Sequence, residues 1–160
     1  MRYERIDGAR ADLVVVCVDS RASRRAVRQT LAKDGPLYVL DLGNGAHSGQ
    51  AVLGQIGTEK RRGKREPVDG HLDLPDPYTL LPELVAAGAE DDAPSCSLAE
   101  ALERQELFVN DDVTRAAALI LWNLLRRGRL EWHGAFVNSL TGRRSVVPVD
   151  AGVWATMGGK

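Results

Sequence analysis

Residues that could do chemistry are few in this sequence, and the first group lies near its start. "DLVVVCVD", Asp12 to Asp19, is continuous in valine and leucine and ends in a carboxylate, with Arg24 five positions on. A run that apolar is what a parallel strand covered on both faces requires, and open α/β sheets take ligands at the carboxyl ends of such strands. A carboxylate there can hold the magnesium ion that neutralises triphosphate charge. The other reading of Asp19 is a cap for the helix that follows. Arg24 belongs near the same site or, with Arg21, Arg25 and Arg28, on the solvated face of that helix. Cys96 is the second candidate. It directly precedes Ser97, whose spacing to Glu100 fits a capping box, so its thiol lies at a helix N-terminus, where the dipole and free N–H groups favour thiolate. Free cysteines also serve as small apolar fillers, the alternative for Cys96.

Other residue types offer less. His47, His71 and His133 are isolated, with no partner at ligand spacing, and read as turn or surface positions. "EKRRGKRE" could touch phosphates, but it lacks interleaved aromatics and is flanked by acids, so a solvated loop is expected and nucleic acid is not an expected partner. The two cysteines form no disulfide framework and no C-x-x-C pair, which places the chain in a reducing cytoplasm. "MRYERIDGAR" has no apolar targeting core, and no apolar stretch approaches the roughly 20 residues of a membrane span. With 21 basic and 22 acidic residues, partners must be read from local sites and not from net charge.

The elements that would position these residues follow from patterning. The 160 residues, 44% of them apolar, suit one domain. After the first strand, Ser20 can cap a helix with Ala22, Ala26, Val27, Thr30 and Leu31 on its apolar side and Gly35-Pro36 as its stop. "PLYVLDL" and "GQAVLGQIG" read as antiparallel strands joined by "GNGAHS", the change of direction marking an edge of a mixed sheet. Residues 58–70 read as a mobile basic loop, "PDPYTLLPELVAAG" as a short helix and "CSLAEALERQ" as another. Asn110 is expected to cap the strongest helix, with Asp111 and Asp112 in its first turn and Val113, Ala116, Ala117, Ile120, Leu121, Leu124 and Leu125 on one face. "EWHGAFVNSLTGRRSVVPV" closes the fold as two strands around Thr141 and Gly142. Trp122, Leu124, Trp132 and Phe136 are expected in the core or on a dimer face. The first strand poses a problem, because a doubly covered parallel strand needs a neighbour on each side and only eleven residues precede it.

Several of these stretches together resemble a known family. "DLVVVCVDSRASRRAV" is similar to the hydrophobic strand of the ThiF/MoeB/HesA proteins, relatives of ubiquitin-activating enzymes, which ends in Asp-Asn with an arginine five positions on; here those positions are Asp19, Ser20 and Arg24. "PLYVLDLGNGAHSGQAVLGQ" resembles the next two family strands with their Gly-Gln pair, Gly49 and Gln50, and "PSCSL" resembles the segment around the cysteine of thioester-forming members. Residues 96–128 and 132–150 are similar to the ThiF-related proteins of the bacterial PRTRC cassette. The resemblance implies an α/β fold: a mixed parallel and antiparallel sheet packed by helices, the C-terminal half of a ThiF-type Rossmann-like adenylation domain. It implies ATP and magnesium as cofactors, with Asp19 on the metal and Asp19 and Arg24 at the nucleotide. It further implies a small ubiquitin-like or sulfur-carrier-like protein as partner, its C-terminal carboxylate adenylated and then attacked by Cys96. Separately, the unpaired edges of a buried-type strand invite association, so a homodimer or larger assembly is expected. The family's opening strand, G-x-G-x-x-G turn and helix have no counterpart here. "GNGAHSG" spaces its glycines one residue too widely and leads into a strand, so no helix N-terminus meets a phosphate. The chain alone is therefore expected not to turn over ATP. The zinc-binding cysteine pairs of many relatives are absent, so no zinc site is expected.

Overall fold

A computed structural model of the chain describes residues 11–34, 38–56, 73–88 and 107–158. Five strands form one mixed sheet in sequence order. β1 (Leu13–Val16) runs parallel to β2 (Tyr38–Asn44), and β3 (Ser48–Gly54), β4 (Trp132–Asn138) and β5 (Arg143–Pro148) follow as an antiparallel meander. The change of direction between β2 and β3 thus falls inside the sheet and not at an edge as the pattern suggested. The edges are β1 and β5.

β1 is shorter than the apolar run and lies at the rim. It pairs only with β2, from Leu13 opposite Tyr38 to Val16 opposite Asp41, and its outer edge has no partner among the described residues. Strand side chains alternate between faces, and only one face of β1 is well covered. Val14 and Val16 pack under α1 (Arg21–Asp34), whereas Val15, on the other face, is 48% exposed. The expectation of a strand buried on both sides therefore gives way to one whose outer edge has no partner among the described residues and whose α3-side face is packed at Leu13 but exposed at Val15.

The long helix α3 (Val109–Arg127) lies across β2, β3 and β4 on the face that leaves Val15 uncovered. Its Val113, Ala116, Ala117 and Ile120 bury against Leu40, Ala51, Leu53, Ala135 and Val137. The alanines let the helix approach closely, and Gly49 lets it approach further, since a Cβ there would strike Val113. Two details depart from the pattern. Phe108, with no side-chain cap bond, precedes the helix, and Asn110 lies inside its first turn; Leu125 is 75% exposed because the seam has turned past it. The end is as expected: Gly128, at φ 63°, takes the left-handed conformation and donates its N–H to Leu124. Trp122 is 59% exposed, while Leu124 and Trp132 flank the core.

The opposite face is covered by α1, by residues 75–86 and by α4 (Ala151–Met157), while Leu74 joins the core under α3. The expected helix over 75–88 is two pieces, α2 (Pro77–Leu80) and a 3₁₀ turn at Pro82–Val85. Pro82 explains the break, because it has no N–H to donate and forces Leu81 out of helical space, to φ −126° and ψ 75°. α4 has no counterpart in the sequence reading, although Asp150 caps it by accepting from the N–H groups of Gly152 and Val153. No described helix is long and apolar enough to cross a membrane. The basic stretch 58–70, His71 and the helix predicted after Cys96 lie outside the described residues.

Candidate functional site

The turn from Cys17 to Ser20 leaves the carboxyl end of β1 and enters α1, and two anchors fix it. Ser20 Oγ accepts from the Ser23 N–H at 3.1 Å, so Ser20 caps the helix as expected and Asp19 does not. The second anchor is Arg24. It is 6% exposed, with Nε 3.2 and 3.1 Å from the two Asp41 carboxylate oxygens and Nη2 donating to the Leu42 carbonyl at 3.0 Å. Asp41 is fully buried and stands opposite Val16, the last residue of β1. The turn is thereby held at both ends, by the strand pairing before it and by the ion pair after it.

Tyr78 of α2 completes this network by donating its hydroxyl to Asp41 Oδ2 at 2.9 Å. Burial pushes the Asp41 carboxyl above its ordinary value, against the opposing pull of Arg24 and Tyr78. Burial, with the Asp41 charge adding to it, pushes the Tyr78 hydroxyl far up, so at neutral pH it remains a donor. Buried charge without a partner would cost several kcal/mol, on the order of 3–5 by analogy with broken buried pairs, which is why these three groups occur together.

The solvated-face reading of the arginines is overturned. Arg24 lies in line with Val27 and Leu31 on the buried side of α1, while Ala26, expected there, is exposed. Arg25 donates to the carbonyls of Val85 and Ala86. Arg28 reaches Asp76 at 2.7 Å and Thr79 at 2.9 Å and lies over the Tyr78 ring. These side chains fasten α1 to residues 76–86, and α2 is thereby positioned to deliver Tyr78.

Asp19 itself is exposed, and its carboxylate has no hydrogen-bond or ion-pair partner among the described residues. No three His, Cys, Asp or Glu side chains converge among the described residues. One carboxylate suits magnesium that arrives on a triphosphate, since that ion keeps most of its waters and phosphate oxygens and takes one or two protein carboxylates. It does not suit a metal held by protein ligands alone. Arg24, with Nε and Nη2 already engaged, fits the role of positioning this turn better than that of touching a phosphate. Cys17 is exposed beside the network; partial desolvation, then the Asp41 carboxylate, push its thiol up, with Arg24 pulling the other way. Cys96 lies outside the described residues.

Sequence reasoning missed Asp41 and Tyr78. A signal was available, because an aspartate inside the apolar run "YVLDL" must find a cation if the strand is central. His133, expected at a turn or surface, is fully buried in β4. Its Nδ1 is 2.7 Å from the Leu53 carbonyl oxygen, its Nε2 has no partner among the described residues, and Trp154 of α4 meets it edge to face at 5.4 Å. Burial holds its pKa down, so the ring is neutral and Nδ1 carries the proton that Leu53 accepts. Comparison with profiles of known protein families and with curated proteins finds no match to this chain.

Proposed function

We propose that this chain is a ThiF-like protein of the PRTRC type, contributing the strand–Asp19–helix side of an adenylation site for the C-terminus of a ubiquitin-like partner. The observation that carries this reading is the combination at β1: a parallel strand with no partner on its outer side among the described residues, whose carboxyl end leads into a braced turn presenting the Asp19 carboxylate, which likewise has no partner among them. In that arrangement a strand, glycine-rich turn and helix docked along the outer edge of β1 would bring phosphate-binding N–H groups beside Asp19. Magnesium-bound ATP would supply the activating chemistry, and the chain's own part would be to hold the metal through Asp19, with Arg24 and Asp41 keeping the turn in place. The 160 residues contain no G-x-G-x-x-G segment, so the chain by itself would not turn over ATP. Cys96 would accept the acyl group, its thiolate attacking the acyl-adenylate carbonyl and AMP leaving. The open edge also suits a homodimer.

The same edge supports a second reading, a non-catalytic module that pairs its β1 backbone with a ubiquitin-like protein or another copy, since unpaired strand edges invite such additions. One experiment separates the two. Incubated with ATP, magnesium, a ubiquitin-like partner and a polypeptide carrying the glycine-rich turn, the enzyme reading gives a thiol-sensitive conjugate that Cys96→Ala abolishes. The module reading gives partner binding without ATP that Cys96→Ala leaves unchanged, and that result would displace the enzymatic proposal.

A further inference from the structure

The register places a second feature at the same end of the sheet as Asp19. Val16 pairs with Asp41 near the end of β2, Asn44 with Gly49, Ser48 with Asn138 and Asn138 with Arg143, so the β4–β5 turn lies on the rim where β1 ends. It stands three to four strands away, roughly 15–20 Å at about 4.8 Å per strand. There the β4–β5 turn and the first turns of α3 enclose a cleft of about 290 Å³. Its charged lining is Arg115, Arg143, Arg144 and Asp112.

We infer that this cleft binds a phosphate group, as the free ion or as the monoester of a small molecule. Charge is the first reason. Three guanidinium groups against one carboxylate leave the lining at +2, which a phosphate dianion balances and a single carboxylate leaves half uncompensated. Geometry is the second. Arg115 and Arg143 have no ion-pair partner among the described residues, and Asp112, one turn from Arg115, does not engage it. Arg144 is steadied on the Trp132 ring, its guanidinium carbon 5.4 Å from the ring centre, which orders one donor fork before any ligand arrives. Planar guanidinium forks match phosphate oxygens two at a time. The third reason is an orphan group: Ser139 lines the cleft, and its hydroxyl is buried with no partner among the described residues. Buried polar atoms are nearly always satisfied, and a seated ligand or its water would satisfy this one. Asn138 is committed elsewhere, its Oδ1 accepting from the Thr141 N–H at 3.0 Å, which holds the turn in shape. The cleft is too small for a folded partner and lies near the lower limit of small-molecule sites.

The test is calorimetric titration of the whole chain with inorganic phosphate, glycerol 3-phosphate and acetate at low salt. Saturable binding of either phosphate is expected, with acetate at least tenfold weaker because it balances half the charge. The three arginines are exposed, so substitutions there leave the fold intact. Arg143→Ala and Arg115→Ala should each weaken phosphate binding about tenfold, the worth of one charged hydrogen bond, and Asp112→Asn should tighten it. Tighter binding of glycerol 3-phosphate than of inorganic phosphate would assign the site to a monoester, and the reverse to the free ion; either supports the inference. Absence of saturable phosphate binding, phosphate binding untouched by Arg143→Ala, or acetate equal to phosphate would overturn it. Asp19 is not among the residues that line this cleft, and the titration needs neither ATP nor a thioester, so the result is independent of the adenylation reading.

Discussion

The buried Arg24–Asp41–Tyr78 network gives the sharpest prediction. Asp41→Asn keeps the shape and removes the negative charge, leaving the Arg24 guanidinium buried against a neutral amide. Arg24→Met strands the Asp41 carboxylate in the same way. Breaking a buried pair from one side costs about 3–5 kcal/mol, which for a domain of this size lowers Tm by roughly 6–20 °C. Removing both charges is different in kind. With Arg24→Met and Asp41→Leu together, no charge is left unpaired, and the remaining cost is the unsatisfied Tyr78 hydroxyl, about 1–3 kcal/mol. Adding Tyr78→Phe should recover most of that. Urea or thermal unfolding at neutral pH measures each step, and the double variant should be more stable than either single one. A pH series adds a check: because burial raises the Asp41 carboxyl, the folded state holds its proton more tightly than the unfolded chain does. Stability therefore declines as pH rises from the ordinary carboxylate range through Asp41's own value, and Asp41→Asn removes that slope. Single variants each costing under about 1 kcal/mol, with effects that simply add, would refute the reasoning.

Three further outcomes follow. His133 is held below its ordinary pKa, so the unfolded chain takes up its proton first and stability falls as pH drops below about 6.5 towards the folded value; His133→Phe should flatten that part of the profile in calorimetric scans, and an unchanged slope would count against a neutral buried ring. Asp150→Ala removes the cap of α4 and should cost about 1 kcal/mol, seen as faster amide exchange over residues 151–157; equal protection would mean that packing of Trp154 alone holds the helix. The open edge and exposed face of β1 predict self-association, so light scattering should give a dimer that Val15→Lys converts to monomer, whereas a wild-type monomer at every concentration argues against an edge-paired dimer.

Much of the architecture was legible from residue patterns because it rests on local rules. The Ser20 cap, the α3 seam from Val113 to Ile120 and the glycines at 128 and 142 each express a single local preference, and each is found where the pattern puts it, whereas the valine run does form a strand but a shorter one, at the rim. What patterning misjudged depends on which surfaces meet. Nothing local distinguishes Arg24 from Arg25, yet one faces Asp41 and the other reaches the 3₁₀ turn. Val15 is as apolar as Val16, but α3 covers β2 to β4 and stops short of β1. His133 looked like a lone histidine because its partner is a backbone carbonyl 80 positions away. The phosphate cleft is likewise assembled from residues on α3 and the β4–β5 turn, separate in sequence and close only once the sheet has formed.

The adenylation reading stands or falls on ATP–pyrophosphate exchange by the purified chain, alone and together with a polypeptide that supplies a strand, a G-x-G-x-x-G turn and a helix, with a ubiquitin-like protein present in both cases. No exchange is expected from the chain alone, and the pair should exchange in a manner that Asp19→Ala abolishes and Asp41→Asn weakens through the turn it braces. Robust exchange by the chain alone, or exchange by the pair indifferent to Asp19→Ala, would contradict it.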